Sequence, residues 1–600
     1  MLTTLNKYFG YTTFLPLQQD IINDVLNKKD VLALMPTGGG KSLCYQLPAL
    51  QLDGVTIVVS PLIALMKDQV DGLVSNGVAA AFINSSLNPS EITRARSQLE
   101  RGEIKILYVA PERLMMPEFL SFLKRLPIAL FAIDEAHCIS EWGHDFRPEY
   151  RQLRSLKDNF PEVPIIALTA TATEHVQDDI AVQLGIPDCS KYRASFNRSN
   201  LYYKIEPKTS AYQRLLKYIS EHRGDSGIIY CQSRKLVSSL ASDLKKAGFR
   251  ALPYHAGMDP EKRSRNQERF IRDDAEIIVA TIAFGMGIDK PNVRYVIHYD
   301  LPKNIEGYYQ ETGRAGRDGL KSDCILFFSY ADKAKIEYFI RQKEDQAERD
   351  IAYKKLKEMT DYCEGNICRR KVLLGYFGEA FDEPNCGLCD VCLEPREKFD
   401  ATVVAQKVLS CVHRVNNGFG VTHIIDILVG SNNQKIIERG HDELPTHGIG
   451  KEHSRTEWQS MIRELVQLGY LSLEGDRYPV LRLNEKSRGV LLEDEQVFLT
   501  KPHVEVEIVP VSVDDKCDQG LFEALRALRK TMADESDLPP YVIFHDATLK
   551  EMAAYYPRTN AALANISGVG EVKLKRYGNI FLKTIKEYCD ANGVEPPKKR

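Results

Sequence analysis

Nine strand-length apolar runs leave this chain few folds to choose from. Five lie in the first 200 residues, at Val31–Met35, Val55–Val59, Ile104–Val109, Ile128–Ile133 and Pro164–Leu168. Four more follow at Gly227–Cys231, Glu276–Thr281, Val293–His298 and Cys324–Phe328. None alternates apolar with polar residues, so neither face of such a strand is suited to water. That is the pattern of parallel strands covered by helices on both sides. The amphipathic and polar stretches between the runs supply those helices, and two successive series predict two doubly wound α/β domains, at 1–205 and 206–335.

After residue 335 the pattern stops. A charged, helix-like stretch leads into four cysteines within 25 residues, which we group as a subdomain at 336–400. Residues 401–495 read as helices followed by a hairpin. Ser454-Arg-Thr-Glu457 fits a capping box, and Trp458, Ile462, Leu465 and Leu468 keep one helix face apolar. Strand-like runs at Tyr470–Leu473 and Tyr478–Leu483 flank a turn, and helices ending in such a hairpin predict a winged helix. We read 496–516 as a linker, although the alternating Val/Glu pattern of Val497–Val513 equally fits a strand. Residues 517–590 are helical, divided at Pro539-Pro540, and 591–600 form a tail.

Composition narrows the class. With 79 Lys+Arg against 82 Asp+Glu, 44% apolar and 27% charged residues, the 600-residue chain is neither disordered nor fibrous. A net charge of −3 gives no global sign of a polyanion partner, so any nucleic-acid surface has to be local. The most apolar uncharged stretch, Val55–Met66, is too short to span a membrane and is broken by Ser60-Pro61. The amino terminus lacks the apolar core of a secretory signal. Thirteen cysteines are an odd count for a disulfide framework, and the expected setting is cytoplasmic, nucleoid-associated in a bacterium.

Three motifs carry chemistry. Met35-Pro-Thr-Gly-Gly-Gly-Lys-Ser42 leaves a buried strand and enters a helix. Thr37, Gly38, Gly39 and Gly40 would wrap phosphates with backbone N–H groups, Lys41 would reach the β- and γ-phosphates of ATP, and Ser42 would hold Mg²⁺. Met35 replaces the usual first glycine, and a plain glycine-rich turn is the alternative. Asp134-Glu-Ala-His137 follows another buried strand. There Asp134 would hold Mg²⁺ through water and Glu135 would orient or deprotonate the attacking water, unless the pair is simply an acidic strand end. Gln310-Glu-Thr-Gly-Arg-Ala-Gly-Arg317 offers Arg314 and Arg317 either as a solvated basic face or as groups that reach a phosphoryl group across a cleft.

Taken in order with Ser60-Pro-Leu62, Ala110-Pro-Glu112, Leu168-Thr-Ala-Thr-Ala172 and Ala280-Thr-Ile-Ala-Phe-Gly-Met-Gly287, these motifs resemble those of superfamily 2 helicases. The loop Cys138-Ile-Ser-Glu-Trp-Gly-His-Asp-Phe-Arg-Pro148, the cysteine cluster and the helical–hairpin–helical tail narrow the resemblance to the RecQ DNA helicases, from Phe9 to Cys589. The resemblance implies two RecA-like parallel-sheet motor domains, a zinc-binding helical subdomain, a winged helix and a small C-terminal helical bundle. It implies ATP-driven 3′ to 5′ movement on single-stranded DNA and duplex unwinding in recombination and repair. It assigns Tyr11 to stack on adenine, Gln18 to bond the base edge, Asp289 to the ribose or to coupling between domains, Arg317 as the finger with Gln310 in its motif, and Arg314 to coupling. Leu15 stands where the family commonly has arginine.

Trp142, Phe146 and Tyr150 fit one helix face by spacing, but Gly143 and Pro148 interrupt that helix and favour an aromatic loop. The resemblance makes this loop a sensor of single-stranded DNA, with His144 and Arg147 adding contacts, and base stacking on such rings is worth about 1–3 kcal/mol each. Cys368, Cys386, Cys389 and Cys392 suit tetrahedral Zn²⁺, with an iron–sulfur cluster as the rival, and the resemblance favours zinc. In the winged helix, Lys435, Arg439, Lys451, His453 and Arg455 lie near the expected duplex face, with Tyr478 at the wing. The last segment resembles the helicase-and-RNase-D C-terminal domain. From Asp518 it holds 13 Lys+Arg against 11 Asp+Glu, and Tyr541 and the loop Ile566–Gly570 before Lys573 are its candidate DNA contacts. Expected partners are single-stranded and duplex DNA, with a single-strand-binding protein and a topoisomerase as further candidates. An RNA helicase and a non-motor DNA-binding scaffold are the alternatives.

Overall fold

The structure is a computed structural model that describes all residues except 62, 85–86, 141–146, 173, 283, 285–289, 384, 395–397, 475–479, 493–494, 501–516 and 595–600. Trp142, His144, Phe146, Asp289 and Tyr478 therefore lie outside the described residues. The first lobe is built on seven parallel strands: β1 Val31–Leu34, β2 Val55–Val59, β3 Ala80–Ile83, β4 Ile106–Val109, β5 Ile128–Ile133, β6 Ile165–Thr169 and β7 Ser190–Arg193. Their order is β3-β4-β2-β5-β6-β1-β7. Every residue of β1, β2, β4 and β6 is buried, and two apolar clusters, one on each face, account for the unbroken apolar runs.

The second lobe has six parallel strands: β8 Leu201–Pro207, β9 Ser226–Tyr230, β10 Ala251–Tyr254, β11 Ile277–Ala280, β12 Val293–His298 and β13 Ser322–Phe328, ordered β10-β11-β9-β12-β13-β8. Its core does not end at the boundary expected near residue 335. Ile336 and Ile340, then Leu356, Met359 and Tyr362, and then Cys368 and Cys389 all belong to the cluster on one face of this sheet. The cysteine-bearing subdomain is thus folded onto the second lobe, with Cys389 bridging to Tyr203 of β8.

The winged helix has its own core around Trp458, whose Nε1 donates to the Gly450 carbonyl at 2.6 Å. The capping box at Ser454 and Glu457 is formed. β14 Lys398–Asp400 precedes this domain, β15 Ser472–Glu474 pairs antiparallel with β16 Val480–Arg482, and β17 Phe498–Thr500 pairs antiparallel with β14. Val497 and Leu499 are fully buried in this core, so the segment expected to begin a linker at 496 instead closes the domain as a strand.

The C-terminal bundle, with helices Gln519–Glu535, Asp546–Tyr555 and Glu571–Asn592, packs on both lobes. On the first lobe, a Cβ at Gly10 would lie 2.7 Å from the amide nitrogens of Val569 and Gly570, and Gly568 N donates to Gly10 O at 3.2 Å. On the second, Arg272 pairs with Asp537 at 2.6 Å and Lys530 with Asp274 at 2.8 Å. This arrangement corrects two expectations. Tyr541 is 8% exposed and packs with Val542 against Ile271, so its ring is not presented to a DNA base. The loop ending at Gly570 faces the first lobe, and Lys573 is buried, its ammonium pushed down to about 8 by loss of water. No helix among the described residues is long and apolar enough to cross a membrane.

Gly227 tests the packing of the second sheet. It lies opposite Tyr295 in register, and a Cβ there would fall 1.8 Å from the tyrosine ring. Gly227→Ala must displace a fully buried ring and is expected to cost about 1–3 kcal/mol in denaturant unfolding. An unchanged midpoint would contradict the packing.

Candidate nucleotide site and metal centre

Strand ends bring the motifs together. The P-loop leaves the C-terminal end of β1, Asp134 and Glu135 follow β5, and Thr169-Ala-Thr171 ends β6, so three adjacent strands of one sheet present them at one edge. Gly38 and Gly40 adopt φ of +78° and +75°, which closes the loop before the helix Leu43–Ala49. Lys41 Nζ donates to the carbonyls of Met35 at 3.2 Å and Pro36 at 3.4 Å, folding its charge back over the loop. The loop fits a phosphate ligand. It presents backbone amides at a helix start, and Thr37 Oγ1 is buried without a hydrogen-bond partner.

Gln18 holds the loop from outside. Its Nε2 donates to Gly40 O at 3.2 Å while its Oε1 accepts from Leu15 N at 2.8 Å. Tyr11 and Leu15 are 43% and 51% exposed, so this edge offers an open ring and an apolar neighbour in place of a cation.

The acidic pair is held differently. Asp134 Oδ1 accepts from Glu135 N at 3.0 Å, and Tyr150, fully buried, donates its hydroxyl to Asp134 O at 3.1 Å. Tyr150 therefore supports this turn from the core. Glu135 has φ +49°, a left-handed conformation costly for a non-glycine residue. Its Oε2 is buried without a hydrogen bond, 3.3 Å from Nδ1 of His137. That same Nδ1 lies 2.9 Å from Thr169 Oγ1, linking the β5 motif to the β6 motif. Arg147 donates to Pro61 O at 3.3 Å, which ties the start of the helix Pro148–Arg151 to the motif following β2.

The second lobe contributes directly. The helix Ile305–Thr312 carries Gln310, and the turn after it carries Arg314 and Arg317. A Cβ on Gly313 would lie 2.0 Å from Thr37 Oγ1, and one on Gly38 would lie 3.5 Å from Cα of Arg317. The arginine motif thus abuts the P-loop across the cleft. Arg198, which the sequence reading passed over, lies between them, in the mostly polar segment Ala194–Asn200 that joins β7 to β8. It hydrogen-bonds Thr37 O on one side and the carbonyls of Ala315 and Gly316 on the other.

The four cysteines meet as expected, with Sγ atoms all within 4.8 Å of one another. A tetrahedron of 2.3 Å bonds needs sulfurs about 3.8 Å apart, so four thiolates fit one ion with small adjustment. Hydrogen bonding from Cys386 and Cys389 pulls the Cys368 thiol well below its usual range, and Cys386 is pushed up to about 11 by the same contact. Arg369, next to Cys368, bonds both carboxylate oxygens of Asp390, next to Cys389, at 2.9 and 3.1 Å.

In the winged helix Lys435, Arg439 and Lys451 are exposed. Arg439 lies over the Phe419 ring at 5.0 Å, and Arg455 is 55% exposed and pairs with Asp426 at 2.5 Å. His453 packs edge-on against Trp458, which makes it a support for the core.

Five family models match in order: DEAD/DEAH box helicase over 15–179, helicase conserved C-terminal domain over 210–319, RecQ zinc-binding over 330–393, RQC domain over 395–507 and HRDC domain over 518–585. The third model identifies the four-cysteine centre as a zinc site, deciding between zinc and an iron–sulfur cluster. Because its cysteines share the second lobe's core, Cys386→Ala is expected to lose the zinc and loosen that lobe as well as residues 336–400. Limited proteolysis with metal analysis checks this, and a metal-free variant with an intact second lobe would contradict it. The chain is 46% identical to the ATP-dependent DNA helicase RecQ of Haemophilus influenzae, over 98% of this chain and 96% of the relative. It is 42% identical to that of Bacillus subtilis over 98% of each, and 38% identical to ATP-dependent DNA helicase Q-like 4B of Arabidopsis thaliana over 96% of this chain and 55% of the relative. With its motor motifs, its zinc site and its C-terminal domains arranged along nearly the full length of the two bacterial relatives, the chain belongs to the RecQ family of ATP-dependent DNA helicases.

Proposed function

We propose that this protein hydrolyses ATP with Mg²⁺ to move 3′ to 5′ on single-stranded DNA and to separate duplexes in recombination and repair. The observation that carries this reading is the P-loop of one lobe lying against the arginine motif of the other, since a motor needs a nucleotide site that both lobes complete. Lys41 binds the β- and γ-phosphates, the loop amides from Thr37 to Ser42 cradle them, and Ser42 and Asp134 hold Mg²⁺, which supplies charge neutralisation when bound. Glu135 orients the attacking water. Its buried, unbonded oxygen has an acceptor site to spare for that proton. Arg317 stabilises charge on the transferring group, with Gln310 and Arg314 coupling the nucleotide state to lobe movement.

Tyr11 stacks on the base and Gln18 reads its edge. With Leu15 lacking a charge, base recognition at this edge rests on stacking and on Gln18. Trp142, His144, Phe146 and Arg147 sense the single strand, Asp289 contacts the ribose or couples the lobes, and Lys435, Arg439, Lys451, Arg455 and Tyr478 grip and part the duplex. The protein works in the cytoplasm, on the nucleoid if bacterial, beside a single-strand-binding protein and a topoisomerase. Stimulation of ATP hydrolysis by single-stranded DNA over RNA separates this reading from an RNA helicase, and any DNA-stimulated hydrolysis separates it from a scaffold.

Lys41→Ala is expected to abolish ATP hydrolysis and strand displacement while leaving DNA binding within about twofold, because its contacts are to phosphate of the nucleotide. Arg317→Ala should lower the DNA-stimulated rate about 10³-fold or more. Unwinding at the normal rate by either variant would refute the motor assignment.

A further inference from the structure

We propose that Arg198 is a positioning residue for ATP hydrolysis, a staple that fixes the arginine motif against the P-loop. Its guanidinium has five N–H donors, and five oxygens surround them. Nε faces Asn200 Oδ1 at 3.3 Å, Nη1 reaches Thr37 O and Gly313 O, and Nη2 reaches Ala315 O at 3.0 Å and Gly316 O at 2.9 Å. Four of the five are main-chain carbonyls, one from the first lobe and three from the second.

The three second-lobe carbonyls follow the end of the helix Ile305–Thr312, where main-chain acceptors lack helical partners and the helix dipole is negative. A fixed cation there is electrostatically favoured, and it caps the turn between Gly313 and Arg317. Asn200 adds a second tie to that turn through Gly316 O at 2.9 Å and Leu320 O at 2.8 Å. The staple is itself anchored. Arg370, from the zinc-bearing subdomain, donates to the carbonyls of Arg198 at 3.2 Å and Leu201 at 2.9 Å. Arg198 touches neither Lys41 nor the acidic pair among the contacts described, so it acts through the placement of Arg314 and Arg317.

A planar fork is needed because the acceptors belong to two lobes and lie in fixed directions. Lysine has three donors on one rotating nitrogen and cannot hold both sides at once. The proposal rests on the ATPase reading above. The test measures single-stranded-DNA-stimulated ATP hydrolysis by the full-length zinc-loaded protein and its Arg198→Ala, Arg198→Lys, Arg317→Ala and Arg198→Ala/Arg317→Ala variants.

Arg198→Ala should lower kcat at least about tenfold with KM for ATP within about threefold, and Arg198→Lys should remain within about threefold of Arg198→Ala. Because Arg198 acts through Arg317, the double variant should fall no more than about twofold below Arg317→Ala alone. Normal kcat in Arg198→Ala, full rescue by lysine, or multiplied losses in the double variant would each overturn the proposal. Should the alanine variant lose its zinc or fold, the same comparison made with Arg198→Lys alone and combined with Arg317→Ala decides the question. A wild-type protein without DNA-stimulated hydrolysis would overturn the ATPase reading itself, whereas a normal wild type with an unaffected Arg198→Ala overturns only the staple.

Discussion

An open parallel sheet covered on both faces satisfies its backbone internally except along its two edge strands and where its strands stop. At their C-terminal ends the chain must turn, and the amides and carbonyls of those turns become available to a ligand. That constraint organises the motor. β1, β6 and β5 lie side by side, so the P-loop, the Thr169–Thr171 turn and the acidic pair are neighbours although they are far apart in sequence. The hydrogen bond between His137 and Thr169 joins two of these turns directly, so a shift at one strand end is felt at the next.

A single lobe could bind a nucleotide this way, but it could not convert hydrolysis into movement. Movement requires that the site be completed by a second body whose position depends on what is bound. Here the second body approaches by backbone. Gly313 must lack a side chain because Thr37 Oγ1 lies 2.0 Å from where its Cβ would go, and Gly38 has φ +78° with the Arg198 guanidinium 3.1 Å from its Cβ position. Contact this close is sensitive to fractions of an ångström, and interior packing of this kind switches between discrete arrangements more readily than it deforms.

How much of this was legible in the sequence follows the same physics. All nine predicted apolar runs correspond to strands, because those strands are buried on both faces. The four strands missed by the pattern, β3, β7, β8 and β10, are the edges of the two sheets. Each is partly exposed, and in β7, β8 and β10 polar residues or a proline break the apolar run, as Ser190-Lys-Tyr-Arg193 illustrates, whereas the run Val78–Ile83 that contains β3 was passed over. The P-loop, the acidic pair and the cysteines were legible because their chemistry demands fixed spacing. Tyr541 misled because an aromatic after a proline pair looks the same whether it will meet a base or Ile271. Arg198 was invisible for a related reason: its partners are carbonyls, which every residue carries, so no sequence pattern marks them.

The zinc centre belongs to the same chain of constraint. Its four thiolates leave no open position, so it takes no part in the chemistry and its binding energy is available only to structure. What that energy holds in place is the helix Arg369–Tyr376 and the residue beyond it. Arg370 on this helix fixes the carbonyls of Arg198 and Leu201 in the segment between the lobes, and Phe377 stacks on Phe196 at 4.7 Å while touching Tyr309 of the second lobe at 4.9 Å. Cys368 is the residue that starts this helix. A metal bound far along the chain from the P-loop therefore braces the segment that joins the two halves of the nucleotide site.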